Sequence, residues 1–220
     1  KEEFIEFLVQ CNALKFGEFE LKSGRIAPYF INTGMFDTGL KIKKLGTYYA
    51  RAIDAHVKED FHGIYGPAYK GIPLCITAAC ALADMGIDKG YVFNRKEAKT
   101  YADKSAVVGM PLTGDTRLIL VDDVITSGKA IRESLEILKG CGNPQVCGII
   151  ISVNRQEKGK TDKNALAEVA DTLGIPIFAI VTIREIIDFL HNRDIDGKIV
   201  LDDQMKAKIE NYLKIYGDNC

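Results

Sequence analysis

The sequence predicts an α/β fold: a parallel, five-stranded-type Rossmann-like sheet flanked by helices, with a small N-terminal hood. From residue 61 onward, strand and helix patterns alternate, the signature of a parallel sheet covered on both faces. Within that run, Leu118-Ile119-Leu120-Val121 is almost continuously apolar, as a strand buried on both sides must be. Polar loops at 66–71, 122–129 and 154–160 follow predicted strands, and ligands of such sheets sit at the carboxyl ends of the strands.

The elements follow in order. Phe4, Ile5, Leu8 and Val9, with Cys11 and Leu14 beyond, recur at helical spacing and predict an opening helix. Residues 18–21 and 28–32 read as two short strands around the turn Lys22-Ser23-Gly24-Arg25, and residues 37–58 as a helix. The alternation then runs through strand 61–65, helix 72–85, strand 90–94, strand 116–121, helix 126–139, strand 146–153, helix 161–173 and strand 175–181. A single domain over 1–220 is expected, with hood elements over about 1–40, an α/β core over about 60–185 and a helical part over 186–220.

Bulk properties exclude several classes. The chain has 220 residues, 47% hydrophobic and 27% charged, which suits a globular protein with a sizeable core. Net charge is −1 and the sequence pI is about 6.4, so no global positive field draws nucleic acid. No apolar run approaches the ~20 residues that span a bilayer, so no membrane role is expected. Cys11, Cys75, Cys80, Cys141, Cys147 and Cys220 are scattered without a CxxC pair. A reduced, cytoplasmic setting with free thiols fits this spacing better than a disulfide framework or a zinc site. The chain begins at Lys1, which leaves an N-terminal extension compatible with the sequence.

One segment carries the chemistry. Asp122 and Asp123 follow directly on the buried strand, so their carboxylates emerge at its carboxyl end. Thr126-Ser127-Gly128 then opens the predicted helix, where backbone N–H groups and the helix dipole favour a phosphate. Gly128 allows close backbone approach, and the two hydroxyls add donors. Such a cradle beside two carboxylates describes a site for a ribose 5-phosphate. The alternative is an acidic pair capping the helix, with Thr126 or Asp123 as the cap. A nucleotide P-loop is excluded, because no glycine stands five residues before Gly128 and Ala130 replaces the required hydroxyl.

Residues 118–128 closely resemble the phosphoribosyl-pyrophosphate (PRPP) motif of the type I phosphoribosyltransferases. Further segments are similar to the orotate phosphoribosyltransferases of that family: Phe16-Gly17-Glu18-Phe19 with Leu21-Lys22-Ser23-Gly24-Arg25, Pro28-Tyr29-Phe30, Gly66-Pro67-Ala68-Tyr69-Lys70-Gly71, Asn94-Arg95-Lys96-Glu97-Ala98-Lys99, and Asn154-Arg155-Gln156-Glu157-Lys158-Gly159. The resemblance runs over residues 1–190, in order and at matching spacing. It implies transfer of phosphoribosyl from PRPP to orotate, yielding orotidine 5'-monophosphate and pyrophosphate in pyrimidine (UMP) biosynthesis.

The resemblance also implies roles. Asp122 and Asp123 hold the ribose hydroxyls, Thr126, Ser127, Gly128, Lys129 and Ala130 wrap the 5-phosphate, and Val124 and Ile125 belong to the same PRPP-binding set. Tyr69, Lys70, Arg95, Lys96, Lys99 and Tyr101 serve PRPP, with Lys70, Lys96, Lys99 and Asp123 as the catalytic set. Orotate falls to Lys22, Phe30, Ile31, Thr126 and Arg155. A guanidinium can pair bidentately with the orotate carboxylate, and Phe30 offers a stacking face. Taken singly, Phe30 reads as core, and Lys22 and Arg155 as solvated charges. Ile31 stands where the family has a second aromatic residue, and Tyr101 where bacterial members have a lid histidine. The resemblance further implies a cis peptide between Ala68 and Tyr69, a homodimer sharing the lysine lid, and Mg²⁺ entering with PRPP rather than on direct protein ligands. Association with orotidine 5'-monophosphate decarboxylase is compatible with that pathway. Two rivals stay open: a phosphoribosyltransferase for a purine base, and a non-enzymatic PRPP-sensing regulator that binds nucleic acid. The second needs a basic surface that the net charge does not supply.

Overall fold

Helix α1 (Glu2–Gln10) opens the chain in the computed structural model, which describes residues 1–21, 24–95, 106–125, 128–159 and 164–218. An antiparallel pair follows, β1 (Leu14–Glu20) with β2 (Ile26–Ile31). Helix α2 (Gly39–His56) starts at the Thr38 cap, whose hydroxyl accepts the Lys41 N–H at 3.3 Å. Then come β3 (Gly63–Gly66), α3 (Gly71–Asp84), β4 (Gly90–Asn94), β5 (Val107–Gly109), β6 (Arg117–Asp122), α4 (Lys129–Lys139), β7 (Gln145–Asn154), α5 (Ala165–Leu173) and β8 (Ile177–Thr182). Helix α6 (Ile183–Leu190), the small hairpin of β9 (Asp194–Ile195) with β10 (Lys198–Ile199), and α7 (Asp203–Tyr216) complete the chain.

The central sheet has the strand order β5-β4-β3-β6-β7-β8. Five strands are mutually parallel, as expected, and the sixth, β5, adds antiparallel to β4 at the edge. That short edge strand was not expected, because three residues are too few to show an alternation. The central strands feed both faces of the sheet, since successive side chains point oppositely. Ile119 and Val121 of β6, with Ile150 and Val153 of β7, enter the core beneath α1, α2, α3, α6 and α7. Leu118 and Leu120, with Ile149 and Ile151, enter the core under α4 and α5. Gly46 lets α2 lie close on α3: a Cβ there would stand 2.5 Å from the Thr77 carbonyl oxygen.

Three expectations are corrected. Residues 1–40 are not one hood: α1 buries Phe4, Ile5, Phe7 and Leu8 in the main core, and the β1–β2 pair leans on α7. Helix α4 begins at Lys129, not at residue 126, because Gly128 takes a positive φ of 67° and interrupts the helical path. The cap of α4 is therefore Gly128, with no side-chain cap bond, rather than Asp123. Among the described residues, no helix is long and apolar enough to cross a membrane, and the five described cysteines are free.

Candidate active site

The strand order reverses between β3 and β6. From β3 the chain runs outward to β4, then returns past β3 to β6 and continues the other way. The loops leaving two adjacent carboxyl ends diverge there, which opens a crevice. Lys70, after β3, and Asp123, after β6, meet across it: Lys70 Nζ donates to Asp123 Oδ2 at 2.8 Å. Thr33, in the 3₁₀ turn Thr33–Met35, donates its hydroxyl to the same oxygen at 2.8 Å. Asp123 Oδ1 accepts the Val124 N–H at 2.8 Å. The Asp123 carbonyl is held by the hydroxyl of Ser152 at 2.6 Å, and the Asp122 carbonyl by the buried Tyr49 hydroxyl at 2.7 Å. Backbone and side chain of the acidic pair are thus clamped from α2, β7 and the 3₁₀ turn.

The pair is buried, with 9% exposure at Asp122 and 8% at Asp123. Burial, reinforced by the neighbouring Asp123 carboxylate, pushes the Asp122 carboxyl up to about 7, and nearby Lys70 opposes this only in part. Two carboxylates with one ammonium form an acceptor-rich, under-neutralised crevice. Such a site takes hydroxyl or ammonium donors.

Other predicted residues stand on the loops around the carboxyl ends of the same strands. The Ala68–Tyr69 peptide bond is cis, as the resemblance implies, and Tyr69 is exposed. Asn94 Oδ1 braces this loop by accepting the Ala68 N–H at 2.8 Å and the Tyr65 hydroxyl at 3.1 Å. Arg95, Lys129 and Ala130 line a cavity of about 670 Å³ together with Pro67 and Ala68. Arg95 Nη1 is buried there without a hydrogen-bond partner. Val124 and Ile125 are half-buried, and Ile125 packs under α4 and α5. Gly128 has a reason beyond ligand approach: a Cβ would stand 2.8 Å from a Val169 methyl carbon. Lys22, Lys96, Lys99, Tyr101, Thr126 and Ser127 lie outside the described residues.

A second centre forms where β7 ends. Arg155 is not a solvated charge: its side chain is 14% exposed, and its guanidinium lies over the Tyr29 ring at 4.8 Å. Its Nε and Nη2 donate to Glu157 Oε1 at 2.9 and 2.6 Å. Nor is Phe30 plain core, since it is 37% exposed and stacks on Phe19 with ring centroids 5.5 Å apart. Ile31 is half-buried beside it in β2. Sequence reasoning gave no role to Thr33 or Glu157. Each acts through partners far away in the chain, and only the fold brings those partners together.

The switch-point crevice, the acidic pair after β6 and the cis loop after β3 define a class, the phosphoribosyl transferases, and residues 33–182 match the phosphoribosyl transferase domain. The orotate phosphoribosyltransferase of Clostridium botulinum (strain Alaska E43 / Type E3) is 47% identical over 218 residues, covering 99% of this chain and 97% of the relative. That of Photobacterium profundum is 47% identical over 220 residues, covering 99% and 98%. The crystal structure of the Francisella tularensis orotate phosphoribosyltransferase is 38% identical, covers 98% of this chain and 100% of that one, and superposes with a TM-score of 0.82. The chain belongs to the orotate phosphoribosyltransferase family.

Proposed function

We propose that the protein transfers the 5-phosphoribosyl group of PRPP to orotate, releasing pyrophosphate and forming orotidine 5'-monophosphate. The observation that carries this is the end-to-end likeness to the Francisella tularensis enzyme, at 38% identity and a TM-score of 0.82. The Lys70–Asp123 pair at the switch point supplies independent chemical support.

In this reading, Asp122 and Asp123 accept the ribose hydroxyls and favour positive charge developing at C1 as its bond to pyrophosphate loosens. Lys70, Arg95, Lys96 and Lys99 neutralise the departing pyrophosphate, with Tyr101 a hydrogen-bond donor beside them. Thr126, Ser127, Gly128, Lys129 and Ala130 receive the 5-phosphate near the start of α4. Lys22 and Arg155 face the orotate carboxylate, while Phe30 and Ile31 cover the ring.

The acidic pair is a poor metal cage. Lys70 and Thr33 already occupy one oxygen of Asp123, and Asp122 holds its proton up to about pH 7. It fits an Mg²⁺ ion carried mainly by PRPP oxygens and approached by Asp123, which when bound neutralises part of the pyrophosphate charge. A homodimer with a shared lysine lid is part of the same proposal, checked by the solution mass of the purified protein. The deciding assay follows the orotate absorbance after adding PRPP and Mg²⁺, with adenine and hypoxanthine as alternative acceptors. A steady loss of orotate absorbance is expected. A folded protein that consumes no orotate, or prefers a purine, overturns the proposal.

A further inference from the structure

Glu157 gathers donors from four residues: Arg155 on its own loop, Arg25 and Tyr29 on the β1–β2 hairpin, and Tyr212 on α7. Its Oε1 accepts from Arg155 Nε and Nη2 at 2.9 and 2.6 Å, and from the Tyr29 and Tyr212 hydroxyls at 3.0 Å each. Its Oε2 accepts from Arg25 Nη2 at 2.7 Å. The Arg25 guanidinium in turn lies over the Tyr216 ring at 4.7 Å, on α7. The main chain is tied to the same helix end: Lys158 N–H donates to the Tyr216 carbonyl and Asp218 N–H to the Gln156 carbonyl, both at 2.8 Å. The loop carrying Arg155 is therefore pinned to the end of α7 by side chains and backbone alike.

This arrangement holds Arg155 in two ways. The guanidinium rests over the Tyr29 ring, and Glu157 takes its Nε–Nη2 edge, so both its position and its rotation are restrained. The Nη1 end carries two further N–H donors and, among the described residues, is the edge left to address another anion. Two guanidinium groups share one carboxylate here, which leaves a surplus positive charge in a mostly buried cluster. A second carboxylate is the group that would complete it.

We propose that Glu157 is a positioning residue for recognition of the substrate carboxylate, fixing Arg155 for orotate and linking that contact to α7 through Tyr212. The proposal rests on the assignment of Arg155 to the orotate carboxylate. Glu157 itself touches no reacting atom. Its signature is a selective loss of orotate affinity, passed through Arg155 and unaccompanied by any change at the PRPP end.

The test is steady-state kinetics on full-length Glu157→Gln, Tyr212→Phe, Arg155→Ala and the Glu157→Gln/Arg155→Ala double variant. In Glu157→Gln the orotate KM should rise about tenfold, while kcat and the PRPP KM stay within about twofold. Tyr212→Phe keeps the ring and the fold, removes one donor, and should raise the orotate KM about threefold; it carries the test alone if Glu157→Gln does not fold. In the Arg155→Ala background, Glu157→Gln should add nothing further to the orotate KM. Equal losses for orotate and PRPP, or additive effects in the double variant, would reduce Glu157 to a structural role and overturn the proposal. An unchanged orotate KM in Glu157→Gln and Tyr212→Phe, with a raised one in Arg155→Ala, overturns it while sparing the Arg155 assignment. An unchanged orotate KM in Arg155→Ala sinks that assignment itself.

Discussion

Asp123 and Glu157 are both largely buried carboxylates at the carboxyl edge of one sheet, and their surroundings are opposite. Around Asp123, two acidic residues share one lysine, and burial holds Asp122 partly protonated near neutrality. Around Glu157, two arginines and two tyrosines converge on a single acid, and burial keeps Tyr29 well above the ordinary phenol range and Tyr212 at about 12, as neutral donors. The first centre is short of positive charge and the second has an excess. A carboxylate saturated with donors serves as scaffold, and a pair with fewer donors and one shared ammonium keeps acceptor capacity for a ligand. Under the proposed reaction this polarity suits the two substrates: hydroxyls and a cationic ribose at the acidic centre, a carboxylate at the basic one.

The contrast can be attacked first from the donor side, where the largest losses are expected. Lys99→Ala should lower kcat by roughly 10²–10³, the usual cost of removing one preorganised group that stabilises charge in the transition state. Near-normal turnover would remove Lys99 from the catalytic set. Asp122→Asn should lower kcat/KM for PRPP by about 10²-fold. It should also erase a rise in that parameter between about pH 6 and pH 8 which the ionisation of Asp122 contributes in the parent. The unfolded chain releases this proton near the ordinary carboxyl value of 3.8, and the unliganded fold keeps it to about 7. Native stability from this group is therefore complete below that window and lost as pH rises through it. Calorimetry near pH 8 should accordingly find unliganded Asp122→Asn melting a few degrees above the parent. A lower melting temperature would mean that burial does not penalise the Asp122 carboxylate.

Two smaller effects concern the frame. Gly128→Ala combines a positive φ with contact against Val169, and should cost about 1–3 kcal/mol in urea unfolding, besides weakening PRPP binding. Tyr49→Phe removes the hydroxyl that holds the Asp122 carbonyl, and should cost about 0.5–1.5 kcal/mol with the orotate KM unmoved. A change confined to orotate would show that the two centres are less separate than the hydrogen bonds imply.

Much of the donor half was legible in the sequence because its parts are local. The apolar run before Asp122 announces a buried strand, and the strand end carries the acidic pair. Gly128 was legible as a glycine but not as a helix breaker, since the hydroxyl residues before it are equally good openers of a helix. The acceptor half was legible only by resemblance. Arg25, Tyr29, Arg155 and Tyr212 show no spacing relative to one another, and their shared partner emerges only when β2, the loop after β7 and α7 are brought together. Thr33 stayed hidden for the same reason, because its bond to Asp123 spans 90 residues.

The contact between β2 and α7 has a consequence for the order of assembly. During synthesis the chain emerges from its N-terminal end, and the switch-point loops at Lys70 and Asp123 are complete well before Tyr212 is made. Arg25, Tyr29 and Arg155 can reach Glu157 once the loop after β7 exists, but the Tyr212 hydroxyl joins them only with α7. Long-range closures of this kind form late. A nascent chain halted before α7 would therefore carry the acidic pair and Lys70 while the Glu157 cluster still lacked Tyr212 and the ring of Tyr216.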